Sequence, residues 1–421
     1  MSTLPSHWKS IRLKDCCSRP EYGYTASASA EPIGPRFLRI TDIQDGRVNW
    51  EVVPYVALPH KLDSSVYLQP GDMVVARIGA TTGKAFLIRH CPEAIFASYL
   101  IRVRAEQLML PEFLHLCFQT EHYWRQINQK KGGRLKGGVN IPVLENLELP
   151  LPPLVEQESI AKTLQAVQDA RDVRVRQLIL ERERKAALVA HLLGHGTQAE
   201  SRKDTDIGQI PASWDVVKLG DVVSVKGGKR LPKGSAFASG YTHFPYIRVV
   251  DLRNGSVKAD DLKYLTPKIQ QSIRRYTISK NDVYISIAGT IGLVGTIPDE
   301  LDGANLTENA AKLVIHHGSD IDSQFLAAAL NSEAGQRQIQ NLTAKTTQPK
   351  LALTRIEQIL VPRPPGHEQQ NIAMVAQACD AKQHILKKRI RHLQELFRAL
   401  LEGLMMGRIP ATSLVRERLV Q

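Results

Sequence analysis

The segment Gly79-Ala80-Thr81-Thr82-Gly83-Lys84-Ala85 has the residue types of a phosphate cradle: glycines that let the backbone approach an anion, and a lysine to neutralise it. A nucleotide-binding P-loop needs four residues between its glycines and a Ser or Thr after the lysine, to hold magnesium. Here three residues separate Gly79 from Gly83, and Ala85 follows Lys84. A related stretch, Ala288-Gly289-Thr290-Ile291-Gly292-Leu293, has no lysine. The spacing predicts a tight hairpin turn near a phosphate backbone rather than a nucleotide site. Nucleophile-elbow, HExxH and dinucleotide fingerprints are all missing, and His316-His317 has no carboxylate or cysteine pattern beside it. No residue is therefore assigned a catalytic or metal-ligating role.

Other loops have the chemistry of polyanion binding. Lys130-Lys131-Gly132-Gly133-Arg134-Leu135-Lys136-Gly137-Gly138 places cations among glycines, which suits contact with phosphates. Lys226-Gly227-Gly228-Lys229-Arg230-Leu231-Pro232-Lys233 is a second basic loop. Thr343-Ala344-Lys345-Thr346-Thr347-Gln348-Pro349-Lys350 is less basic but rich in hydrogen-bonding groups. The net charge of +13 and isoelectric point near 9.5 point the same way, with nucleic acid as the first partner to consider. A module that reads nucleic acid needs phosphate contacts for register and base-edge contacts for specificity. The candidate DNA-contacting residues are Tyr22, Tyr24, Arg39, Arg77, Lys84, Lys131, Arg134 and Lys136 in the first half of the chain. In the second half they are Lys229, Arg230, Lys233, Arg248, Lys345, Thr347 and Lys350. Arg39 and Arg248 recur at matching places, so they can equally hold the framework.

The elements that must position these loops are written twice. Pro5, Trp8, Leu13 and Asp15 return as Pro211, Trp214, Leu219 and Asp221, and Arg39, Asp42, Gly46 and Val48 as Arg248, Asp251, Gly255 and Val257. Pro152-Pro153, Glu156-Gln157 and Ile160-Ala161 return as Pro364-Pro365, Glu368-Gln369 and Ile372-Ala373. The offset drifts from 206 at the tryptophans to 212 at the Glu-Gln pairs, too long for a solenoid period of roughly 20–50 residues. Within each copy, short strands and Gly/Pro turns come first. Met73–Ile78 and Val283–Ile287 read as matching strands, and Tyr99–Arg104 alternates as a half-buried strand does. One helix is expected from Pro111, carrying Phe113, Leu114, Cys117, Trp124 and Ile127 on one face, and Asp322 or Ser323 can cap its counterpart. Residues 155–193 and 367–404 then form long helices with apolar stripes near a 3.5-residue period, about 60 Å each at roughly 1.5 Å per residue. Neither can bury its stripe alone, so they are expected to pack antiparallel, with His195–Asp206 as a polar linker.

Composition excludes some classes. No apolar run reaches the roughly 18 residues of a membrane span, and the first residues have no secretory pattern, which sets the expectation of a cytoplasmic protein. Five cysteines without paired spacing read as buried thiols.

In the order of these elements the chain resembles the specificity subunit of a Type I restriction-modification system. The resemblance rests on the Pro-x-x-Trp starts, the Arg-x-x-Asp segments, the Gly71-Asp72 strand with its glycine turn, and Leu151-Pro152-Pro153-Leu154-Val155-Glu156-Gln157 at a helix entry. The second copy departs at Asn281-Asp282 and at Arg363-Pro364-Pro365-Gly366-His367-Glu368-Gln369. The resemblance implies an α+β fold of two similar mixed α/β target-recognition domains separated by two long, antiparallel, coiled-coil-like helices. The expected boundaries are 1–150 and 210–362 for the domains, 151–195 and 363–407 for the helices, 196–209 for a linker and 408–421 for a tail. It also implies double-stranded DNA as ligand, each domain reading one half of a split site, and helices that set the spacer and bind modification (methyltransferase) subunits, two of them, with restriction/translocase subunits as further partners. S-adenosylmethionine, ATP and Mg²⁺ would sit on those partners, none on this chain, which would be non-catalytic. Two alternatives compete. A stand-alone DNA-binding regulator would lack the methyltransferase partner, and an enzyme fused to recognition domains would need a catalytic block for which the sequence has no residues to spare.

Overall fold

The computed structural model describes residues 4–44, 46–58, 63–130, 138–344 and 349–411. The chain divides into two compact units, Met1–Arg174 with Arg389–Gln421, and Val175–Lys388. Each unit repeats one plan.

In the first unit an antiparallel sheet has the strand order Glu21–Tyr22, Leu100–Arg104, Asp72–Ala76, Ala85–Leu87. In the second the order is Val223–Gly227, Ala310–Ile315, Val283–Ser286, Val294–Thr296. A parallel pair accompanies each sheet, Arg36–Leu38 with Ala94–Phe96 and Pro245–Ile247 with Ala304–Leu306. The second unit extends its pair with Lys263–Tyr264 and Thr277–Ile278. The strand Leu100–Arg104 is not half-exposed as its alternation suggests. Arg102 is 2% exposed, donating to Glu21 and to the Tyr67 carbonyl, while Arg104 donates to the buried Asp72. Paired basic side chains can be buried, so their presence did not mark a solvent face. Asp72 and its counterpart Asp282 also accept from the backbone N–H three residues earlier, at Gln69 and Ser279, which closes the turn into each central strand.

The single helix expected from Pro111 is two, Pro111–Cys117 and Glu121–Lys130, matched by Ser323–Asn331 and Glu333–Leu342. The break follows from local capping. Thr120 accepts from the Tyr123 N–H, and Ser332 from the Gly335 N–H. Asp322 caps Ser323–Asn331 by accepting from the Phe325 N–H. Of the cysteines, Cys16, Cys17, Cys117 and Cys379 are buried free thiols, whereas Cys91 is only partly buried.

A further antiparallel pair closes each repeat, Lys9–Arg12 with Glu148–Leu151 and Asp215–Lys218 with Leu360–Arg363. It brings the start of the repeat to the entry of a long helix, where the repeated motifs meet. The Trp8 indole donates to Glu156 and the Trp214 indole to Glu368, each at 3.0 Å. Gln157 donates to the Pro152 and Leu108 carbonyls and accepts from the Leu110 N–H. Gln369 makes the equivalent set with Pro364, Asp320 and Asp322. Both glutamines are fully buried.

The long helices are Leu154–His195 and Gly366–Met405. In the first unit Ile160 and Leu164 share a core with Trp8, Phe113, Leu401 and Leu404. In the second, Lys185 pairs with Asp380 at 2.6 Å, Glu181 with Lys382 at 2.8 Å, and Val189 packs with Ala376, so the paired stretches there run antiparallel. The expected linker is folded: Arg202–Thr205 and Gly208–Pro211 form a hairpin, and Thr197 donates to Glu368 through both its N–H and its hydroxyl. No helix among the described residues is long and apolar enough to cross a membrane.

Burial raises the pKa of the Glu368 carboxyl, but the Thr197 N–H, the Trp214 indole and the Thr197 hydroxyl outweigh it, so the group titrates below the ordinary glutamate value. A depressed folded-state pKa gives stability that is fully present above about pH 4.3 and is lost as pH falls through the folded value. Glu368→Ala should cost about 1–3 kcal/mol for each buried donor it strands. Glu368→Gln should be less stable at pH 7 yet show a shallower acid limb than the native chain. Urea denaturation at pH 7 and stepwise below about pH 4.3 checks both, and equal stability at pH 7 would remove the carboxylate from its role as tie.

Candidate nucleic-acid interface

The hairpin turn predicted around Gly79–Gly83 connects Asp72–Ala76 to Ala85–Leu87. Gly79 and Gly83 have φ of 84° and 90°, and Gly289 and Gly292 repeat this with 74° and 87°, a region that L side chains avoid. The glycines therefore serve the turn, and the turn presents Lys84 exposed at its end.

Three elements of the first unit converge beside it. The Arg77 guanidinium stacks over the Tyr22 ring at 4.7 Å, a cation–π geometry. The Tyr22 hydroxyl accepts from the Ile141 N–H at 3.3 Å, and the Val139 N–H donates to the Arg77 carbonyl at 2.9 Å. The chain returning from the basic loop thus lands on Arg77. Lys131, Arg134 and Lys136 lie outside the described residues, as do Lys345 and Thr347. The second unit builds the same junction. The Leu351 N–H donates to the Ile287 carbonyl, Lys350 bridges to Ala288, and the Ala344 N–H donates to the Lys350 carbonyl. Lys350 is exposed at this junction.

The edge strand supplies the remaining candidates. Gly23 and Gly228 occupy matching positions where a Cβ would meet backbone oxygens of Ala97 and Thr307 at 2.2 and 2.1 Å. No side chain fits, so the chain turns close against the neighbouring strand there. Next to them the copies differ. Tyr24 is half-buried against the cluster of Phe37 and Ile95, which makes it part of the domain's packing. Its counterpart Lys229 is exposed, its ammonium 5.6 Å from the Tyr276 ring. Arg230 is exposed and its Nε donates to Glu308 at 2.6 Å, which raises its already high pKa. Lys233 is exposed on the same loop.

Arg39 and Arg248 stand apart. Arg39 donates from Nε and Nη2 to the two oxygens of Asp42, at 3.1 and 2.8 Å, and Asp42 also accepts from the Arg39 N–H. Arg248 does the same with Asp251 and adds the Asp261 carbonyl. Each guanidinium locks a short 3₁₀ turn, which favours the framework role over base reading. Sequence reasoning missed Tyr276, Glu308 and the glycine pair. Only the coincidence of Gly23 with Gly228 in the repeat register could have revealed the last.

Set beside known proteins, the chain matches the family described as the Type I restriction modification DNA specificity domain twice, at residues 5–179 and 211–395. It is 22% identical to the Type I restriction enzyme MjaVIII specificity subunit of Methanocaldococcus jannaschii, over 84% of this chain and 82% of that one. It is 23% identical to the Type I restriction enzyme EcoKI specificity subunit of Escherichia coli K12, over 90% and 87%. Among solved structures, the Type I restriction-modification S subunit from M. genitalium aligns with a TM-score of 0.58 at 16% identity, covering 96% of this chain and 97% of that one. A chain from a structure of a type I R-M system, solved to explain its assembly and conformational transition, aligns with the same TM-score at 18% identity, over 97% and 100%. At these identities the structural likeness is one of fold.

Arg39→Ala and Arg248→Ala should each destabilise the protein by on the order of 1 kcal/mol, because they open an internal tie that is partly exposed. Lys84→Ala and Lys233→Ala should stay within about 0.5 kcal/mol, as exposed side chains without such a tie do. Chemical denaturation of the four variants separates framework from interface. Equal, near-zero effects would return Arg39 and Arg248 to the list of DNA-reading groups.

Proposed function

The chain belongs to the family of Type I restriction-modification DNA specificity subunits, and from that premise we propose that each of its two recognition domains reads one half of a bipartite duplex site. Members of this family recognise DNA and leave catalysis to other subunits. The long helices set the spacer between half-sites and dock two modification subunits, with restriction subunits as further partners. S-adenosylmethionine chemistry, ATP and Mg²⁺ belong to those partners.

One observation carries the reading. The groups that fix the fold recur residue for residue, as in Trp8–Glu156 and Trp214–Glu368 or Arg39–Asp42 and Arg248–Asp251, whereas the groups at the loop junctions differ. Tyr22 and Tyr24 stand where the second copy has Gly227 and Lys229. Framework repetition with loop divergence supports two readers of different half-sites on one scaffold.

Exchanging residues 20–145 for those of a relative with another specificity should change one half-site and leave the other. Methylome sequencing of a host carrying the hybrid checks this, and a change in both half-sites or in neither would sink independent reading.

The ruler has its own test. The helix Leu154–His195 has 42 residues, about 63 Å at roughly 1.5 Å per residue. Four residues inserted after Gln177 lengthen it by about 6 Å, the rise of about two base pairs at roughly 3.4 Å each. Four residues are also close to one turn, so the apolar stripe stays nearly in phase. The same bases should be read in each half-site, with a spacer longer by one or two base pairs. A two-residue insertion turns the stripe by about 200° and should impair assembly with the modification subunits. A four-residue variant that keeps its original spacer would mean that the partners set the distance.

A further inference from the structure

The second unit carries a group of cations away from the loop junctions, where the Gly255 turn rests on the long helices. A Cβ at Gly255 would lie 3.4 Å from a carboxylate oxygen of Asp380, so the turn touches the helix Gly366–Met405 there. Asp380 is also the carboxylate that receives Lys185 from the other helix. These two contacts gather three elements around one acid. Arg182 lies one turn before Lys185, Lys387 lies two turns beyond Asp380, and Arg253 begins the turn itself, with its Nη1 donating to the Val250 and Leu252 carbonyls. Arg182, Lys387 and Arg253 are all exposed. The charges act on one another: burial and the neighbouring Arg182, Lys185 and Arg253 pull the Lys387 pKa below the ordinary lysine value, opposed by Asp380.

Elsewhere in the chain, cations that hold the framework come with their own carboxylates, as Arg39, Arg104 and Arg248 do. Here Lys185 pairs with Asp380, while Arg182, Lys387 and Arg253 bring further cations to the same junction, and their repulsion costs stability unless an anion joins them. The helix continues the excess in sequence, since Lys382–His392 contains five Lys or Arg and no Asp or Glu. The first unit has a smaller version at the matching turn, where Arg47 and Arg171 share the single carboxylate of Asp172. Both surpluses occur where a glycine turn of a recognition domain meets a long helix, away from any loop that differs in a way suited to reading bases.

We infer that the cluster of Arg182, Lys185, Lys387 and Arg253 is a phosphate-binding site for the backbone of the spacer DNA, adding sequence-independent affinity to the two half-site contacts. The inference rests on the DNA reading proposed above. Its ligand is the phosphodiester backbone of a duplex whose spacer bases are not read, and its signature is salt dependence without specificity.

The test uses the full chain with its modification subunits and a duplex bearing the site found by methylome sequencing. Arg182→Gln with Lys387→Gln removes two exposed cations of the cluster, leaves the Lys185–Asp380 pair in place, and keeps helix-compatible side chains. The slope of log affinity against log salt should fall by about 1.8, at roughly 0.9 per lost phosphate contact. Between 50 and 200 mM salt the native complex should thus lose roughly tenfold more affinity than the variant. The methylated sequence should not change. As a check free of any folding defect, neutral methylphosphonates in the spacer backbone should weaken the native complex and weaken the double variant less, since Lys185 and Arg253 remain. An unchanged slope, or a methylphosphonate spacer bound as tightly as the natural one, overturns the inference while target preference stands. Loss of co-purifying modification subunits with the slope intact overturns it too, by making the partner a protein. A native complex with no preference for its site over a scrambled duplex overturns the DNA reading itself.

Discussion

The structure depends on a buried glutamate beside a buried glutamine at the entry of each long helix. Glu156 and Glu368 take the indole N–H of the tryptophan that begins their repeat, and Gln157 and Gln369 bond three backbone groups on two segments. A buried acceptor with matched donors is stable, but the same group with a donor missing costs the full desolvation of what remains. The first strand, the last strand and the helix entry of a repeat can therefore occupy only one arrangement. That constraint converts the rigid rod of a helix into a handle on the domain. Any displacement of the helix must either carry the domain with it or break a dry hydrogen-bond set.

The rest of each domain follows from fixing its two ends together. Closing the strand pairs Lys9–Arg12 with Glu148–Leu151 and Asp215–Lys218 with Leu360–Arg363 leaves about 140 residues to be folded as one excursion. Within it, Asp72 and Asp282 shape the turn into the central strand, and Arg39 and Arg248 lock a 3₁₀ turn against their own aspartates. These interactions are short-range in sequence and satisfied internally. They hold the sheet without involving the loops at its end, so Tyr22, Arg77 and the residues flanking 131–137 are free to differ from Gly227, Ile287 and the residues flanking 345–348.

Much of this was legible in the sequence because duplication supplied an internal comparison. The repeated Trp, Arg-x-x-Asp, Gly-Asp and Glu-Gln motifs marked the framework, and periodicity placed both long helices within about two residues of their ends, the usual fraying of such boundaries. The failures have physical causes. The 196–209 segment looked like a linker because it is polar, yet its order comes from Glu368, which is 171 residues from Thr197 and invisible to local pattern. The apolar face from Pro111 runs on past the break between the two helices, because Thr120 and Ser332 act as caps only once the preceding turn has ended. Alternation makes Tyr99–Arg104 a half-buried strand, yet Arg102 is buried because Glu21 and Asp72 reach it through strand pairing. Among the site residues, stacking of Arg77 on Tyr22 and the anchoring of Arg39 likewise depend on tertiary geometry that residue type does not encode.

Charge distribution connects framework to function. A chain of net charge +13 must place its excess somewhere. Arg102, Arg104 and Arg248, buried or half-buried in the domains, are matched by aspartates and glutamates within a few ångströms, because an unmatched charge there would be too costly. The excess is thereby driven outward, to Lys84, Lys229, Lys233 and Lys350 at the ends of the sheets and to Lys387 and Arg182 on the helices. An exposed cation costs little to keep and attracts phosphate over a Debye length of roughly 8–10 Å. The same desolvation penalty that pairs the interior thus leaves the unpaired charge facing solvent, where a polyanion can reach it. Fold and interface in this protein are sorted by one rule, the cost of leaving a charge dry and alone.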